Sequence, residues 1–317
     1  MDMSIFDILK TAKMPVGKKI HKLGTVKINA VESTPVVWEG RLLRFEWVRN
    51  AAWSAAGGIT RKHGYYCFVD MESEEVVAEV GEDNAFGSCY AEGGKMYVHG
   101  VRGEGGGNVL EAFVSSDLVH WEKHVALTLP EDLGIYNTSV CRGENGYVMS
   151  VEVDGKNPCV GVPYTCLFAT SRDLIHWELL DPAEHCYTRE RYSACPCIRY
   201  TDGYYYVIYL EMIPWHHFVP YIVRSRDLKK FEMAVKNPVM WYDDDDKKVI
   251  RPERFTAEEL DYIQNAVDTN NSDFDMCEYN GKTVITYSWG NQWGKEFLAL
   301  AEYDGPNDEF LRSFFLD

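Results

Sequence analysis

Ser115-Ser116-Asp117-Leu118-Val119-His120-Trp121 is the first of three copies of one phrase in this chain. The other two copies are Ser171-Arg172-Asp173-Leu174-Ile175-His176-Trp177 and Ser225-Arg226-Asp227-Leu228-Lys229-Lys230-Phe231. They follow one another at about 55 residues, and each lies between two strand-like runs. A fixed period of this length is typical of a repeat architecture. We expect the Ser and Asp side chains to bond backbone N–H groups of a hairpin turn, and the closing ring to pack beside the neighbouring repeat.

A second signal precedes each repeat. Five hairpin turns lie between β-rich runs: Glu39-Gly40, Gly93-Gly94, Asn145-Gly146, Asp202-Gly203 and Asn280-Gly281. Asn-Gly and Asp-Gly pairs in this context are the strongest short-range hairpin markers. Together the two signals predict five units of about four strands each. The expected fold is all-β, a five-bladed β-propeller with short, protected sheet edges.

The repeats also set the expected domain organisation. We predict one domain over residues 1–317. Chain length alone would suggest two domains, but a propeller of this length forms a single domain. The predicted blades cover about 31–80, 84–127, 134–180, 189–240 and 270–304. The sequence leaves open how the first forty or so residues and the last dozen pair with the ring.

One segment, about 241–269, interrupts the β pattern and predicts a helical insertion between blades four and five. Thr256 and Glu259 form a capping box, and Leu260, Ile263 and Val267 have helical spacing. The run 243–246 consists of four aspartates beside two lysines. We expect this run to be a solvated loop, with a cation site as the less favoured alternative.

The composition restricts the partners. The formal net charge of −17 argues against nucleic acid and against an anionic membrane surface, because both require a basic face. The 20 tyrosines and nine tryptophans suit a strand-rich protein, and aromatic planes can stack on the C–H faces of sugars. We therefore expect a carbohydrate partner. Nothing in the sequence indicates an oligomeric state.

The nine cysteines include no Cys-x-x-Cys pair, so we expect unpaired buried thiols in a reducing compartment, with disulfides or a metal site as the less favoured alternatives. The N-terminal residues lack the pattern of a signal peptide, and no apolar stretch approaches the ~18 residues of a membrane span. These features predict a cytoplasmic protein. We expect no cofactor and assign no metal ligands. A structural central cation such as calcium stays open, without a clear ligand motif.

The repeated phrase resembles that of the five-bladed propeller glycoside hydrolases of families 43, 32 and 68, over about 33–304. The resemblance implies a glycosidase with an Asp in blade one, an Asp in blade three and a Glu in blade four. This chain departs from the pattern at all three places. It has Thr34-Pro35 with Glu32 before it, then Asn137, and then Ala194-Cys195-Pro196 with Glu190 upstream. The families' mechanism therefore cannot be transferred residue by residue.

Candidate residues follow from strand direction, because the start of each innermost strand and the end of the second strand open onto one face. Glu46 and Glu152 both lie six residues after a hairpin glycine and are interpreted as equivalent. The predicted catalytic candidates are Glu46, Glu152, Glu211, Glu32 and Asp273. The predicted substrate-binding residues are Asn137, Glu190, Arg191, Arg102, Trp289, Trp53, Trp215 and His99, and Trp293 is a further candidate for sugar stacking.

Carboxylates crowded in one mouth suit glycoside hydrolysis, which needs one carboxylic acid and one carboxylate. The leading hypothesis is thus a glycoside hydrolase acting on an oligosaccharide or glycoside. Alternatives are a non-catalytic carbohydrate-binding propeller, a sugar phosphorylase or lyase that uses Arg102 and Arg191, and a protein-interaction propeller. Two single residues also have a structural alternative. His99 could be a strand histidine whose hydrogen bonds are made within the fold, and Glu46 could be an ion-pair partner of Arg44 or Arg49.

Overall fold

The computed structural model describes residues 20–49, 64–103, 105–214 and 216–316. Its strands form three four-stranded sheets and one eight-stranded sheet. The eight-stranded sheet consists of two antiparallel groups that meet only at one parallel pair, Phe218 with Asn270. We therefore describe five strand sets, numbered 1 to 5 along the chain.

The strand bounds within each set are as follows. Set 1 contains β2 (Ser33–Trp38), β3 (Arg41–Val48), β4 (Tyr65–Asp70) and β5 (Val76–Val80). Set 2 contains β6 (Asn84–Glu92), β7 (Lys95–Arg102), β8 (Val109–Ser115) and β9 (Glu122–Thr128). Set 3 contains β10 (Leu133–Gly143), β11 (Gly146–Gly155), β12 (Thr165–Ser171) and β13 (Glu178–Leu179). Set 4 contains β14 (Ala194–Thr201), β15 (Tyr204–Ile213), β16 (His217–Ser225) and β17 (Phe231–Met233). Set 5 contains β18 (Asn270–Tyr279), β19 (Lys282–Gly290), β20 (Glu296–Tyr303) and, from the other end of the chain, β1 (His21–Ile28).

The innermost strands of the five sets surround a common axis. Strands β2, β6, β10, β14 and β18 contact one another in that order, and β18 in turn contacts β2. The fourth place in set 5 is taken by β1, which pairs antiparallel with β20. Four-stranded antiparallel sheets around an axis are consistent with a β-propeller. The pairing of β1 with β20 also places an early and a late segment of the chain in one sheet.

The three copies of the repeated phrase form the turns that the sequence predicts. In the first copy, Ser115 Oγ accepts the Leu118 N–H at 2.9 Å and Asp117 Oδ1 accepts the His120 N–H at 2.8 Å, and the other copies repeat this pattern. Each closing ring packs on the preceding set. The pairs are Trp121 with Phe68, Trp177 with His99 and Phe231 with Phe168. The expected roles of the Ser, Asp and aromatic positions are confirmed.

Between sets 4 and 5 lie two short 3-10 helices, Asp244–Lys247 and Pro252–Arg254, and the α-helix Ala257–Gln264. Thr256 caps this helix, and Glu259 bonds back to the Thr256 backbone N–H. A second α-helix, Asn307–Arg312, follows the last strand. Neither α-helix in the described ranges has the length and hydropathy that crossing a membrane requires.

The aspartate run contains a buried member and is not simply the solvated loop that its charge suggests. Asp246 is fully buried; Lys22 Nζ donates to its Oδ2 at 2.7 Å, and the Tyr287 hydroxyl donates to its Oδ1 at 2.7 Å. A buried carboxylate requires such partners. These bonds attach the segment after set 4 to β1 and β19, so the run has a structural function in packing.

Candidate functional site

Five equivalent residues mark one end of the axis. Each lies eight residues before the second residue of its hairpin turn, on or next to the innermost strand: Glu32, Phe86, Asn137, Cys195 and Asp273. In sets 2 to 5 the strand register shifts at this point. The backbone φ is positive at four of the five, for example 47° at Glu32 and 49° at Asp273. Bulges of this kind redirect side chains and are frequent beside active sites.

Glu152 on β11 reaches the same place from set 3. Its Oε2 accepts the Asn137 side-chain N–H at 3.1 Å and the Cys195 backbone N–H at 2.7 Å. The side chain is buried, and burial raises its pKa to about 7. The charge of Asp273 acts in the same direction, whereas the two donors oppose it. Glu152 can therefore carry a proton near neutral pH.

Asp273 is the second carboxyl of the cluster. Ser272 Oγ donates to its Oδ2 at 2.9 Å, and the Cys195 thiol bonds the same carboxylate. Burial raises the pKa of Asp273, while these bonds favour the charged form. Cys195 thus touches both carboxyls, Glu152 through its backbone N–H and Asp273 through its thiol. Burial raises the pKa of Glu152 to about 7, whereas the bonds to Asp273 favour its charged form, so the two carboxyls can act as an acid and a base respectively.

Glu32 is the third carboxyl. Its Oε2 is buried without a hydrogen-bond partner among the described residues. Burial raises its pKa well above the usual range, and the charge of Asp273 adds to this effect. Nearby, Arg49 Nη1 bonds Glu296 Oε2 at 2.7 Å, and the Arg49 charge opposes the rise. Glu32, Glu152, Asp273 and Glu296 with Arg49 therefore form what we call the carboxyl cluster.

Aromatic rings adjoin this cluster in an unbroken series. Neighbouring ring centroids lie 4.9 to 5.6 Å apart along Phe86, Tyr136, Tyr164, Tyr192, Phe218, His216 and Trp293. Burial raises the pKa of Tyr164 to about 12, with further contributions from Tyr136 and Glu152. Its hydroxyl thus stays neutral and can donate a hydrogen bond to a ligand.

Glu46 lies elsewhere. Arg44 Nε bonds its Oε1 at 2.6 Å, Lys27 bonds its Oε2, and Arg44 also bonds Glu74 at 2.8 Å. Burial disfavours the charged form of Glu46, but Arg44 and Lys27 outweigh it and lower the pKa to about 2. Glu46 thus belongs to an ion-pair network. Of the two interpretations of this residue, the structure shows the one in which Glu46 is a structural partner of Arg44.

The assumed equivalence of Glu46 and Glu152 is wrong by one residue. The turn in set 3 is Glu144-Asn145, because Gly143 pairs with Gly146. Counted from this turn, Glu152 is equivalent to Trp47, one residue beyond Glu46. Side chains alternate between the two faces of a strand, so one residue of slip exchanges the faces.

Three other candidates are not at the cluster. Glu211 accepts Arg191 Nε at 2.8 Å and the Tyr209 hydroxyl at 3.1 Å. Arg102 bonds Glu111 at 2.6 Å. In the described part of the chain, the hydrogen-bond partners of these three side chains are not members of the carboxyl cluster.

The remaining candidates divide into buried, exposed and undescribed residues. Trp289 is fully buried and donates to Thr25 Oγ1 at 2.8 Å, so its ring is part of the core. His99 is a buried strand histidine whose Nε2 contacts the Leu174 carbonyl at 2.8 Å, and burial lowers its pKa to about 4. Glu190 is exposed. Trp53 and Trp215 lie outside the described residues.

Of the predicted residues, the structure brings together Glu32, Asn137, Glu152 and Asp273. Sequence reasoning missed Cys195, Glu296 and the Arg49–Glu296 pair as parts of the site. Counting eight residues back from each hairpin turn, instead of forward along the second strand, would have identified Cys195. Glu296 begins β20, whose start no motif marks, so the sequence carried no comparable signal for it.

A separate cavity of about 510 Å³ opens at the other end of the innermost strands. It is lined partly by Arg199 and Asp275, which bond each other, and by Cys89, Cys141 and Cys277. All nine cysteines are free thiols. In the described part of the chain, no group of three or more His, Cys, Asp or Glu side chains is arranged to hold a metal ion.

The raised pKa of Glu152 has a measurable effect on stability. A carboxyl whose pKa rises from 4.5 to about 7 on folding destabilises the folded state as pH rises through that interval, by on the order of 3 kcal/mol. Glu152→Gln removes this titration. We expect the variant to melt above the wild type at pH 8 and to lose that advantage at pH 4.5, as measured by thermal denaturation. An equal difference in Tm at both pH values would contradict the raised pKa.

Neither a protein-family sequence model nor the sequence of a functionally curated protein matches the chain. Several solved structures are similar to the chain. One described as a BT0996 complex with RGII has a TM-score of 0.63 and 12% identity, covering 90% of this protein and 92% of that one. A glycosyl hydrolase from Bacteroides ovatus has a TM-score of 0.57 and 11% identity, covering 91% and 95%.

A third similar structure belongs to the GH130 family of mannoside phosphorylases, which is described as containing glycoside hydrolases that target β-1,2 mannosidic linkages in Candida mannan. Its TM-score is 0.54 and its identity 11%, and the match covers 92% of this chain and 95% of that one. At such low identities the similarity shows the fold and leaves activity to be argued from the site.

Proposed function

Because the fold of the chain is similar to that of the glycosyl hydrolase from Bacteroides ovatus and of the GH130 structure, we propose that it is a β-propeller enzyme that acts on carbohydrates and hydrolyses glycosidic bonds. We further propose that the five strand sets are five blades and that the segment with helix Ala257–Gln264 is an insertion between the fourth and fifth. The observation that carries the proposal is the convergence of Glu32, Glu152 and Asp273 at one end of the axis.

Glu152 is the proposed general acid. Its proton passes to the glycosidic oxygen as the bond between that oxygen and the anomeric carbon breaks. With a pKa of about 7, the acid is protonated in mildly acidic solution and in about half of the molecules at pH 7. Asn137 and the Cys195 backbone N–H hold the carboxyl in place through Oε2.

Asp273 is the proposed carboxylate partner. The Ser272 hydroxyl and the Cys195 thiol favour its charged form. As a base it would remove a proton from the attacking water, and as a nucleophile it would bond the anomeric carbon itself. The anomeric configuration of the first product, read by proton NMR, distinguishes these routes. Glu32, with its unpartnered oxygen, is suited to bind a sugar hydroxyl.

The arginines bear on the phosphorylase alternative. A phosphorylase requires a basic pocket for phosphate, and the sequence suggested Arg102 and Arg191 for that purpose. Each is paired with a glutamate that is not a member of the cluster, whose described members are four carboxyls and Arg49. This arrangement favours hydrolysis over phosphorolysis. The second candidate function is non-catalytic sugar binding. It is favoured by Asn137 and Ala194, which occupy positions where the propeller glycoside hydrolases of families 43, 32 and 68 have carboxylates.

The test is a substrate panel with matched variants. Nitrophenyl xyloside, arabinofuranoside and mannoside, together with xylotriose and β-1,2-mannobiose, are incubated with the wild type, Asp273→Asn and Glu190→Gln. We expect turnover of at least one substrate by the wild type and by Glu190→Gln, an exposed carboxyl outside the site, and a loss of about 10³-fold in Asp273→Asn. Sugar binding without any turnover would favour the non-catalytic candidate, and neither binding nor turnover would contradict the proposal.

A further inference from the structure

Trp293 lies in the loop between β19 and β20 and is 72% exposed. Its ring stacks on His216, with 5.0 Å between centroids and 18° between planes. His216 contacts Phe218, and Phe218 contacts Tyr192, which adjoins Cys195 and Asp273. The series of rings therefore runs from solvent to the candidate catalytic carboxyls.

The loop that carries Trp293 is held in a defined conformation. The Asn291 side-chain oxygen accepts the Trp293 N–H at 2.9 Å, and the Asn291 N–H donates to the Lys295 carbonyl at 3.0 Å. Because these bonds already fix the loop, a ligand that binds to the exposed Trp293 ring does so with little further loss of conformational entropy.

Both ends of this loop are attached to the carboxyl cluster. On one side, Gln292 Nε2 bonds Ser272 Oγ at 3.4 Å, and Ser272 Oγ bonds Asp273 at 2.9 Å. On the other side the loop ends at Glu296, the partner of Arg49. The loop that carries the exposed ring is thus bonded at one end to Ser272, which donates to Asp273, and continues at the other end into Glu296 of the carboxyl cluster.

We propose that the His216–Trp293 pair is an outer sugar subsite. A terminal sugar lies at Glu152 and Asp273, and the next sugar of the same oligosaccharide stacks its C–H face on the Trp293 ring. This inference rests on the proposed hydrolysis and adds a substrate class to it: oligosaccharides of at least two sugars bind better than a glycoside with one.

Trp241 provides a matched control on the same molecule. It is 46% exposed and stacks on Tyr242, with 5.1 Å between centroids and 26° between planes. Tyr242 contacts His217, so Trp241 also belongs to a small stack of rings. It differs from Trp293 in that its segment is bonded to Lys22, not to the residues around Asp273.

The experiment is isothermal titration of sugars into Glu152→Gln, so that the ligand is not consumed, with Trp293→Ala or Trp241→Ala added. The probes are a methyl glycoside, whose aglycone is too small to reach the Trp293 ring, and an oligosaccharide of the same sugar: methyl xyloside with xylotriose, and methyl mannoside with β-1,2-mannobiose. We expect Trp293→Ala to weaken oligosaccharide binding by about tenfold or more and to leave binding of the methyl glycoside unchanged. Trp241→Ala is expected to change neither.

Equal losses for short and long ligands in Trp293→Ala, or no loss for the oligosaccharide, would overturn the outer subsite while leaving the proposed function standing. An equal effect of Trp241→Ala would also overturn it. Absence of binding of every sugar to the parent Glu152→Gln protein and to the wild type would overturn the proposed function, and the subsite with it.

Discussion

Replacing Glu152 with glutamine is expected to lower kcat by about 10³-fold while the protein stays folded. The amide keeps the volume and an oxygen that can accept the N–H groups of Asn137 and Cys195, but it has no proton to give to the leaving oxygen. The loss should appear in kcat more than in KM, because the interaction acts in the transition state. The measurement is steady-state kinetics on the best oligosaccharide substrate of the panel, whose leaving sugar oxygen needs that proton.

The pH profile supplies a second readout for Glu152. In the wild type we expect activity to fall as pH rises above about 7, where the acid loses its proton. Any residual activity of Glu152→Gln should lack this alkaline limb. Full activity in the variant, or an unchanged alkaline limb, would assign the acid to another group.

Replacing Glu46 with glutamine is expected to act on stability instead. The change leaves the buried Arg44 with Glu74 alone and Lys27 without its carboxylate partner. Breaking a buried ion pair in this way costs about 3 kcal/mol or more, and for a chain of this size we expect Tm to fall by about 5 to 10 °C. Activity at 25 °C should be retained.

The effect of Glu46 depends on pH with a sign opposite to that of Glu152. Its pKa of about 2 in the folded state lies below the ordinary 4.5. Its contribution to stability is therefore full above pH 4.5 and is lost as pH falls towards 2. The Tm difference between wild type and Glu46→Gln should shrink over that interval. Unchanged stability combined with lost activity would instead make Glu46 a site residue.

The sequence predicted the β fold because its turns are local. Ser-x-Asp bonds and hairpin pairs depend on residues a few positions apart, so the phrase around Asp117 forms the turn expected of it. The exposed or buried state of single rings depends on distant strands. Trp289 was expected at the mouth but is covered by β1, from the far end of the chain, through Thr25.

The site was predicted in part for the same reason. Glu32, Asn137 and Asp273 lie at the starts of innermost strands, a position that strand direction alone indicates. Glu46 was taken as the equivalent of Glu152 because the turn in set 3 was assigned one residue late, and in a strand that error exchanges the two faces. Arg49 and Glu296 meet only because β20 and β3 adjoin the same mouth from sets 5 and 1, 247 positions apart in sequence.

The most direct measurement is a crystal structure of Glu152→Gln with the oligosaccharide that binds it best. We expect the glycosidic oxygen of the terminal sugar within hydrogen-bonding distance of the substituted amide at position 152, the anomeric carbon facing Asp273, and the second sugar on Trp293. A sugar bound in the cavity beside Arg199 and Asp275, with the carboxyl cluster empty, would contradict a catalytic site at Glu32, Glu152 and Asp273.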